Sequence, residues 1–282
     1  MRLHATAVAA GHRLVARDTL SSTNEEALSL ANAEALSATS RGIAGGAAAP
    51  LWITARQQCA GRGRSGRPWT SPPGNLYTTL LLDEPAPQRE APELSFVAAL
   101  AAYDAILACA PALWSQLALK WPNDLLCGGG KLAGILIEGT QLNDRLAVAI
   151  GIGVNCVSHP EQTAYPATDL KTAGADVAAE DLFCALSGTM VRRLAQWQRG
   201  AGFAAIRSDW LNHATLGGEM RVRLRDREFV GRGEALDEAG RLLLRLADGR
   251  LQTITAGDVF PLAAGEYSRL VVANKARPDG TR

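Results

Sequence analysis

The chain has 282 residues, a formal net charge of +1 and 47% hydrophobic residues. That length is enough for one sizeable core and a small appended domain. The nearly neutral charge argues against a protein whose main partner is nucleic acid, because such proteins carry a domain-wide basic field.

The cysteine, histidine and hydropathy patterns exclude several other classes of protein. The five cysteines form no Cys-x-x-Cys pair, and the four histidines are too far apart in sequence to give a local metal signature. No stretch approaches the ~20 apolar residues that a membrane span needs, and the N-terminal apolar run is too short for a signal peptide. We therefore expect a cytoplasmic protein with reduced thiols and no membrane association.

Helices and strands are mixed through the first three quarters of the chain. Thr23-x-x-Glu26 is a capping-box pattern that predicts a helix to about residue 36, followed by a surface loop over 39–50. Hydrophobic periodicity then predicts strands at 51–54, 76–82, 117–120, 132–138 and 146–152, and helices at 93–110, 180–199 and 203–212. This mixture predicts an α+β domain, a sheet backed by helices, over residues 1–216.

Composition changes near Gly217 and Gly218. Beyond this point apolar and polar residues alternate, which predicts four strands joined by tight turns, at 220–224, 228–236, 241–246 and 251–255. We expect a small all-β domain over 217–270 and a flexible polar tail over 271–282.

One segment is unusually rich in glycine and arginine. Residues 58–69, here called the arginine loop, have the sequence QCAGRGRSGRPW and follow a predicted strand. Glycines let backbone N–H groups approach a ligand closely, and guanidinium groups pair bidentately with phosphate or carboxylate. No acidic residue occurs from Gln57 to Leu82. The segment is therefore either a solvated surface loop or a site for an anion.

The arginine loop also contains a dinucleotide-binding pattern, Gly61-x-Gly63-x-x-Gly66. In a dinucleotide-binding fold the third glycine opens a helix. Here Pro68 and then Ser71-Pro72-Pro73-Gly74 follow that glycine, and such a run cannot begin the helix. The sequence favours a clamp for phosphate and carboxylate groups over a dinucleotide site.

Three further loops follow apolar strands and suit the same chemistry. Lys120-Trp121-Pro122-Asn123-Asp124 places a cation, an amide and a carboxylate at a strand end. Gly128-Gly129-Gly130-Lys131 leads into a buried strand but lacks the flanking residues of a P-loop. Gly151-Ile152-Gly153-Val154-Asn155 permits close approach of a flat group beside an amide. Each could be an ordinary loop, but together they predict one anion-binding face of a sheet.

These segments resemble the biotin protein ligase family. The matching segments occur in the family's order and span about residues 18–262: Ser22-Thr23-Asn24, the arginine loop, Lys120 to Leu125, Lys131 to Glu138 and Gly151 to Asn155. The strings GRGRSGRPW and KWPND are the distinctive ones. The resemblance implies a class II synthetase-like catalytic domain, a mixed sheet backed by helices, with a small C-terminal SH3-like β-barrel.

The resemblance also implies a two-step ligase reaction. Biotin, the substrate, would react with ATP and Mg²⁺ to give biotinyl-5'-adenylate and pyrophosphate. A lysine of a biotin carboxyl carrier protein, such as the carrier domain of acetyl-CoA carboxylase, would then accept the biotin and release AMP. Both partners of the first step are anions, so cations held in a dry site suit this chemistry.

Family positions carry over residue by residue. The residues implied to line the biotin pocket are Ser22, Thr23, Asn24, Gln58, Arg62, Gly63, Arg64 and Lys131. Those implied for ATP are Arg62, Arg67, Trp69, Lys120, Asn123 and Asn155, with Asp124 as a magnesium ligand. The implied catalytic residues are Lys131, Arg64 and Lys120, and the arginine loop would close as a lid over the adenylate.

The chain departs from the family pattern at three points. Ser65 stands where many relatives have an arginine, and no arginine near Leu262 is identifiable that would reach the nucleotide. Only 21 residues precede Ser22, too few for the winged helix-turn-helix that makes some relatives repressors. We therefore expect no DNA partner, and either a monomer or a homodimer.

Two alternatives stay open. A lipoate-protein ligase shares the fold and the adenylation chemistry, although the Gly-Arg-Gly-Arg string favours biotin. A non-enzymatic nucleic-acid-binding module, built from the arginine loop and the small barrel, would bind RNA or DNA in a salt-sensitive way without ATP.

Overall fold

A computed structural model describes residues 1–40, 48–142, 145–161, 163, 165–224 and 226–262. The helices within these ranges are α1 (Ala5–Ala9), α2 (Thr23–Ser40), α3 (Leu94–Cys109), α4 (Ala179–Trp197) and α5 (Phe203–Asn212). The first seven strands are β1 (Arg13–Leu20), β2 (Leu51–Gln58), β3 (Leu76–Asp83), β4 (Leu117–Lys120), β5 (Asp124–Cys127), β6 (Gly130–Leu142) and β7 (Arg145–Val154). Five more follow: β8 (Glu219–Arg223), β9 (Glu228–Leu236), β10 (Leu242–Leu246), β11 (Leu251–Ile254) and β12 (Asp258–Pro261).

The first seven strands form one mixed sheet in the order β1-β2-β3-β7-β6-β5-β4. The β1–β2 pair is parallel, and the other neighbours are antiparallel. The first five residues of β2 and the first seven of β3 are buried, as expected of strands covered on both faces. The ends of β2, β4, β6 and β7 therefore reach one region of the sheet, where their loops can meet.

Helices cover both faces of this sheet. On one face α2 packs through Ala27 and Ala31 onto a small cluster that includes Ile53 and Ala149. On the other face α3, α4 and α5 build the main core, in which Trp52 and Trp197 are fully buried. This arrangement is the predicted α+β domain, with helices backing a mixed sheet.

Helix α3 is unusually apolar. Contrary to the expectation from the sequence, the segment Ala91–Cys109 is long and apolar enough, by length and composition alone, to cross a membrane. Its sequence is rich in alanine and leucine, and 61% of the segment is buried inside the protein. The helix packs against α4 and α5 in the core, so burial within the protein accounts for its apolar character.

The last five strands form a separate antiparallel sheet in the order β11-β10-β9-β8-β12. This is the predicted small all-β domain, and the proposed boundary at residues 216 and 217 falls between α5 and β8. Apolar residues of this sheet, among them Val222 and Leu244, join the main core. Trp121 also donates its indole N–H to the Gly240 carbonyl at 2.9 Å, so the small domain is packed directly against the α+β domain.

Several predicted boundaries are wrong. The helix predicted from Thr23 to residue 36 continues to Ser40, so residues 39 and 40 of the predicted loop are helical, and residues 41–47 of that loop lie outside the described part. Strands β1, β5 and β12 were not predicted. The predicted flexible tail, 271–282, also lies outside the described residues.

Candidate active site

A cleft of about 390 Å³ opens where the loops of the seven-stranded sheet meet the small domain. Every site residue predicted from the sequence lines this cleft except Thr23: Ser22, Asn24, Gln58, Arg62, Gly63, Arg64, Arg67, Trp69, Lys120, Asn123, Asp124, Lys131 and Asn155. Thr23 is buried directly behind the lining. Residues more than 130 positions apart in sequence therefore converge on one site.

Trp69 forms the floor of the cleft. Gly134 of β6 and Gly153 of β7 are paired across the two strands, and the indole lies on both of them. A Cβ added at Gly134 would sit 3.0 Å from the ring, and one at Gly153 would sit 2.8 Å from it. Trp69 Nε1 is buried and has no hydrogen-bond partner among the described residues. Glycines at these two positions therefore let a flat side chain lie directly on the sheet.

Three charged side chains meet at the cationic end of the cleft. Lys120 ends β4 and pairs in register with Asp124, the first residue of β5. Asp124 Oδ1 lies 2.5 Å from Lys131 Nζ, and Asp124 Oδ2 lies 3.5 Å from Lys120 Nζ. The Tyr165 hydroxyl donates to Asp124 Oδ2 at 2.9 Å, and its ring centroid lies 3.8 Å from Lys120 Nζ. A single buried carboxylate thus holds two ammonium groups.

Burial shapes the protonation states of this cluster. Removal from water lowers the pKa of Lys120 to about 8, although Asp124 opposes the shift. Burial alone would raise the pKa of Asp124, but Lys131 and Lys120 more than offset this and keep that pKa below its usual value. Burial and the Asp124 charge raise the pKa of the Tyr165 phenol, so it stays protonated and donates.

The surroundings of Asp124 do not suit a resident metal ion. Both oxygens already face ammonium groups, and a cation would have to displace them. In the described part of the chain no group of three or more His, Cys, Asp or Glu side chains could hold a metal. The assignment of Asp124 as a magnesium ligand therefore stays a prediction, and the partners that the structure gives this carboxylate are Lys120, Lys131 and Tyr165.

The arginine loop is tied to distant acceptors, although it has no acidic neighbours in sequence. Arg62 pairs with Glu138 at 3.3 Å and with Glu25 at 3.8 Å. Ser65, at the tip, has φ 56°, a left-handed conformation that costs energy in a residue with a side chain. The loop is therefore neither freely solvated nor fully relaxed.

Two further arginines connect this loop to the small domain. Arg67 pairs with Asp258 at 2.6 Å, and Arg64 donates to the Gly257 carbonyl at 3.2 Å and to Asn123 Oδ1 at 3.4 Å. From this domain, Gly257, Asp258, Val259 and Phe260 line the cleft. Among the described residues, its contribution to the lining is thus a carboxylate, backbone and apolar groups rather than an arginine.

The other end of the cleft is neutral and hydrogen-bonded. The sequence predicted Thr23 as a capping residue, but Thr23 is the first residue of α2. Its N–H donates to Gln58 Oε1 at 2.9 Å. The Gln58 side chain therefore satisfies a helix N–H that would otherwise lack an acceptor. Gln58 Nε2 donates to Ser71 Oγ at 2.9 Å, so Gln58 connects the start of α2 to the segment that follows the arginine loop.

Asn155 donates hydrogen bonds to the backbone at the cationic end of the cleft. Its amide nitrogen donates to the Thr168 carbonyl at 2.9 Å and to the Lys131 carbonyl at 3.4 Å. Both donor positions of the amide are thus used within the protein. Asn155 lines the cleft, but its donors hold the backbone that carries Lys131.

Sequence reasoning did not identify Thr79, Glu138, Tyr165 and Asp258, which contact predicted site residues. Thr79 lies within a strand predicted only as core, and Glu138 ends a segment that matches the family but was given no role. Tyr165 and Asp258 lie in segments that carry no glycine or arginine pattern. No local signal marks any of them as functional, because each acts on a partner that is distant in sequence.

Comparisons with known proteins agree with this geometry. Residues 44–155 match the Biotin/lipoate A/B protein ligase family, and residues 215–260 match the Biotin protein ligase C terminal domain. The biotin--[acetyl-CoA-carboxylase] ligase of Paracoccus denitrificans is 43% identical over 248 residues, which cover 85% of this chain and 96% of that protein.

Solved structures of similar proteins share the fold. The biotin protein ligase of Aquifex aeolicus in complex with biotin and ATP aligns with a TM-score of 0.67 at 24% identity, covering 88% of this chain and 97% of that one. The biotin protein ligase of Leishmania major in complex with biotinyl-5-AMP aligns with a TM-score of 0.57 at 27% identity, covering 86% and 99%. The chain is a member of the biotin protein ligase family.

Proposed function

We propose that this protein activates biotin with Mg-ATP to biotinyl-5'-adenylate and transfers the biotin to a lysine of a biotin carboxyl carrier protein, releasing AMP. One observation carries the proposal: a single cleft has a neutral hydrogen-bonding end, at Ser22, Asn24 and Gln58, and a cationic end, at Lys120 and Lys131. Biotin has the same division, a neutral bicyclic urea at one end and a carboxylate at the other.

The first step joins two anions. A carboxylate oxygen of biotin attacks the α-phosphorus of ATP, and the bond to the bridging oxygen of pyrophosphate breaks. Negative charge grows on the phosphoryl oxygens, and fixed cations in a water-poor site stabilise it. We assign that role to Lys131, with Lys120, Arg64 and Arg67 around it. The ligand's anionic groups would take over contacts with Lys131 that Asp124 makes in this structure.

The second step transfers the acyl group. The neutral amine of the carrier lysine attacks the carbonyl carbon of the mixed anhydride, an amide bond forms, and AMP leaves with the electrons of the broken C–O bond. The amine loses one proton in the process. Until the carrier arrives the anhydride must be kept from water, and we assign this protection to the arginine loop, whose Arg64 and Arg67 already bridge to the small domain.

Magnesium enters this proposal as part of the ATP complex, where it neutralises phosphate charge. The carboxylate that the sequence suggested as its ligand, Asp124, pairs with two lysines. The proposed reaction therefore uses no metal ion held by protein side chains. We further propose that the protein acts in the cytoplasm, as a monomer or homodimer, on a carrier domain of acetyl-CoA carboxylase or a related carboxylase. The net charge of +1 supports a role without DNA.

ATP–pyrophosphate exchange with the purified protein tests the adenylation step. One reaction contains biotin and a matched one contains lipoate. Exchange that depends on biotin alone supports the proposal, and exchange with lipoate instead would make the protein a lipoate ligase. A second assay with a carrier domain and its lysine-to-arginine variant tests transfer. Salt-sensitive RNA or DNA binding without exchange would favour the binding-module alternative.

A further inference from the structure

Thr79 lies beneath the neutral end of the cleft but does not line it. It occupies the middle of β3, pairs with Ile53 on one side and Gly151 on the other, and is fully buried. Its hydroxyl oxygen lies 2.6 Å from Asn24 Oδ1 and 2.8 Å from Thr23 Oγ1. One hydroxyl in the centre of the sheet thus contacts the first two residues of α2.

The orientation of the Asn24 amide is fixed by its other partners. Its nitrogen lies 2.7 Å from a Glu138 carboxylate oxygen and 3.3 Å from the Leu136 carbonyl. Both of these groups only accept, so the nitrogen must face them and Oδ1 must face Thr79. Gly151 leaves room for this arrangement, because a Cβ there would lie 2.4 Å from Asn24 Oδ1.

The direction of the hydrogen bonds follows from proton counting. Asn24 Oδ1 can only accept, so the single hydroxyl proton of Thr79 goes to it. The Thr79 oxygen is then left as an acceptor. Of the two acceptors near the Thr23 hydroxyl, Thr79 Oγ1 at 2.8 Å is closer than Gln58 Oε1 at 3.2 Å, so we assign the Thr23 proton to Thr79. Thr23 has no second side-chain proton for Gln58 Oε1, which lies 3.2 Å away. Gln58 Oε1 therefore accepts only the Thr23 N–H and keeps one lone pair.

These hydrogen-bond directions leave Gln58 with one donor and one acceptor position for a ligand in the cleft. One N–H of its amide goes to Ser71, so a second N–H and one oxygen lone pair are left over. A urea presents a complementary carbonyl and N–H. If the Thr79 hydroxyl were absent, the Thr23 proton could turn to Gln58 Oε1, and Asn24 Oδ1 would be buried without a donor.

We propose that Thr79 is a positioning residue that sets the affinity for the urea end of the substrate without touching it. It does so by fixing the hydrogen-bond direction through Thr23 and Asn24, so that Gln58 is held ready for the ligand. The inference rests on the proposed function, since biotin supplies the urea.

A pair of isosteric variants tests this. Thr79→Val removes the hydroxyl and keeps the shape. Thr78→Val is the matched control, because Thr78 is its neighbour in β3, is equally buried, and donates to the Ile53 carbonyl at 3.0 Å. In ATP–pyrophosphate exchange we expect Thr79→Val to raise KM for biotin roughly tenfold, the effect of about one hydrogen bond lost between Gln58 and the urea. The KM of Thr79→Val for ATP should stay within about twofold of that of the unmodified protein. For Thr78→Val and Thr79→Ser, KM for biotin and KM for ATP should both stay within the same limit.

Other outcomes would overturn the inference. Equal biotin KM values for Thr79→Val and Thr78→Val, or parallel rises in KM for biotin and ATP, would leave Thr79 with a structural role only. If Thr79→Val does not fold, as judged by circular dichroism, Thr79→Ala carries the same expectation without added bulk. Absence of biotin-dependent exchange in the unmodified protein would instead refute the proposed function, and this inference with it.

Discussion

Asp124 holds Lys131 at 2.5 Å, and the other oxygen of the same carboxylate lies 3.5 Å from Lys120. Lys120 pairs in register with Asp124, and Lys131 lies on the next strand, β6, where its register partner is Leu126. An isolated buried charge would be unstable, and this arrangement gives each charge a partner. The carboxylate thus keeps two ammonium groups close together in the absence of an anionic ligand.

Lys131→Ala should therefore remove most adenylate formation. Loss of one group that stabilises transition-state charge typically costs about 10² to 10³ in rate, and the variant should remain folded because the Lys131 side chain is partly exposed. The measurement is biotin-dependent ATP–pyrophosphate exchange, with Lys171→Ala, an exposed lysine, as the control. Near-normal exchange by folded Lys131→Ala would remove this lysine from the mechanism.

Because Lys120 is buried, it should make the free energy of unfolding depend on pH. Its pKa is about 8 in the folded protein, below the ordinary 10.5. Between these pH values the unfolded chain binds more protons, so the Lys120 contribution makes the folded state more stable as pH rises. The cost of burying the charge is fully present below pH 8.

The variant Lys120→Met removes that pH dependence. We expect the stability of the variant, measured as its free energy of unfolding minus that of the unmodified protein, to be greatest near pH 7 and to be smaller at pH 10. Urea unfolding at the two pH values measures the difference, and Lys171→Met shows what loss of any lysine contributes. A difference that does not change with pH would contradict the lowered pKa. Exchange activity should fall at every pH, since the cationic end loses a charge.

The arginine loop is held by the small domain, so loosening that contact should expose it. Asp258→Asn removes the negative partner of Arg67. The effect on stability should be below about 1 kcal/mol, because the Arg67 side chain is more than half exposed. Trypsin cleavage after Arg62 or Arg64 should be faster in the variant when no ligand is present.

Biotin together with ATP should slow that cleavage in both proteins, because the ligand's anionic groups replace Asp258 as partners of the loop. The control is Glu234→Gln, which breaks an exposed pair with Arg245 elsewhere in the same domain. Equal cleavage rates with and without ligand would show that the loop is not ordered by substrate.

Local patterns were sufficient to locate the cleft but not to describe its contacts. Glycine, arginine and lysine lie in loops next to apolar strands, and those loops meet in the fold, so part of the lining was predictable from local patterns. Ser22 and Asn24 were predicted only through the family resemblance. The contacts depend on pairing between distant segments. The sequence shows no acidic residue near the arginine loop, yet Glu138 and Asp258 reach it through the sheet and the small domain.

The same reason explains the incorrect predictions at Thr23 and β1. Thr23 matches a capping pattern, but Gln58 of a neighbouring strand supplies the acceptor, so the helix begins at Thr23 itself. Strand β1 (RLVARDTL) is an edge strand with mostly exposed or half-buried side chains, and such a strand carries little hydrophobic alternation. Parallel pairing with β2 stabilises β1 as a strand.

The contact between Trp69 and Gly153 gives the last prediction. A methyl group at position 153 would lie 2.8 Å from the indole, closer than van der Waals contact allows. Gly153→Ala should therefore displace Trp69 from the cleft floor, lower stability by about 1 to 3 kcal/mol and reduce exchange. Gly218→Ala is the control, because an added Cβ there meets nothing within 4 Å.

A second substitution distinguishes a steric effect from a general loss of structure. The atoms that the new methyl would meet are indole atoms Nε1, Cε2 and Cζ2, and phenylalanine lacks the fused ring that contains them. Trp69→Phe combined with Gly153→Ala should therefore be more stable than Gly153→Ala alone, a non-additive result that a thermodynamic cycle measures. Exchange should stay low in the double variant, because the flat indole floor is gone. Strict additivity would mean that the two residues do not interact as the structure describes.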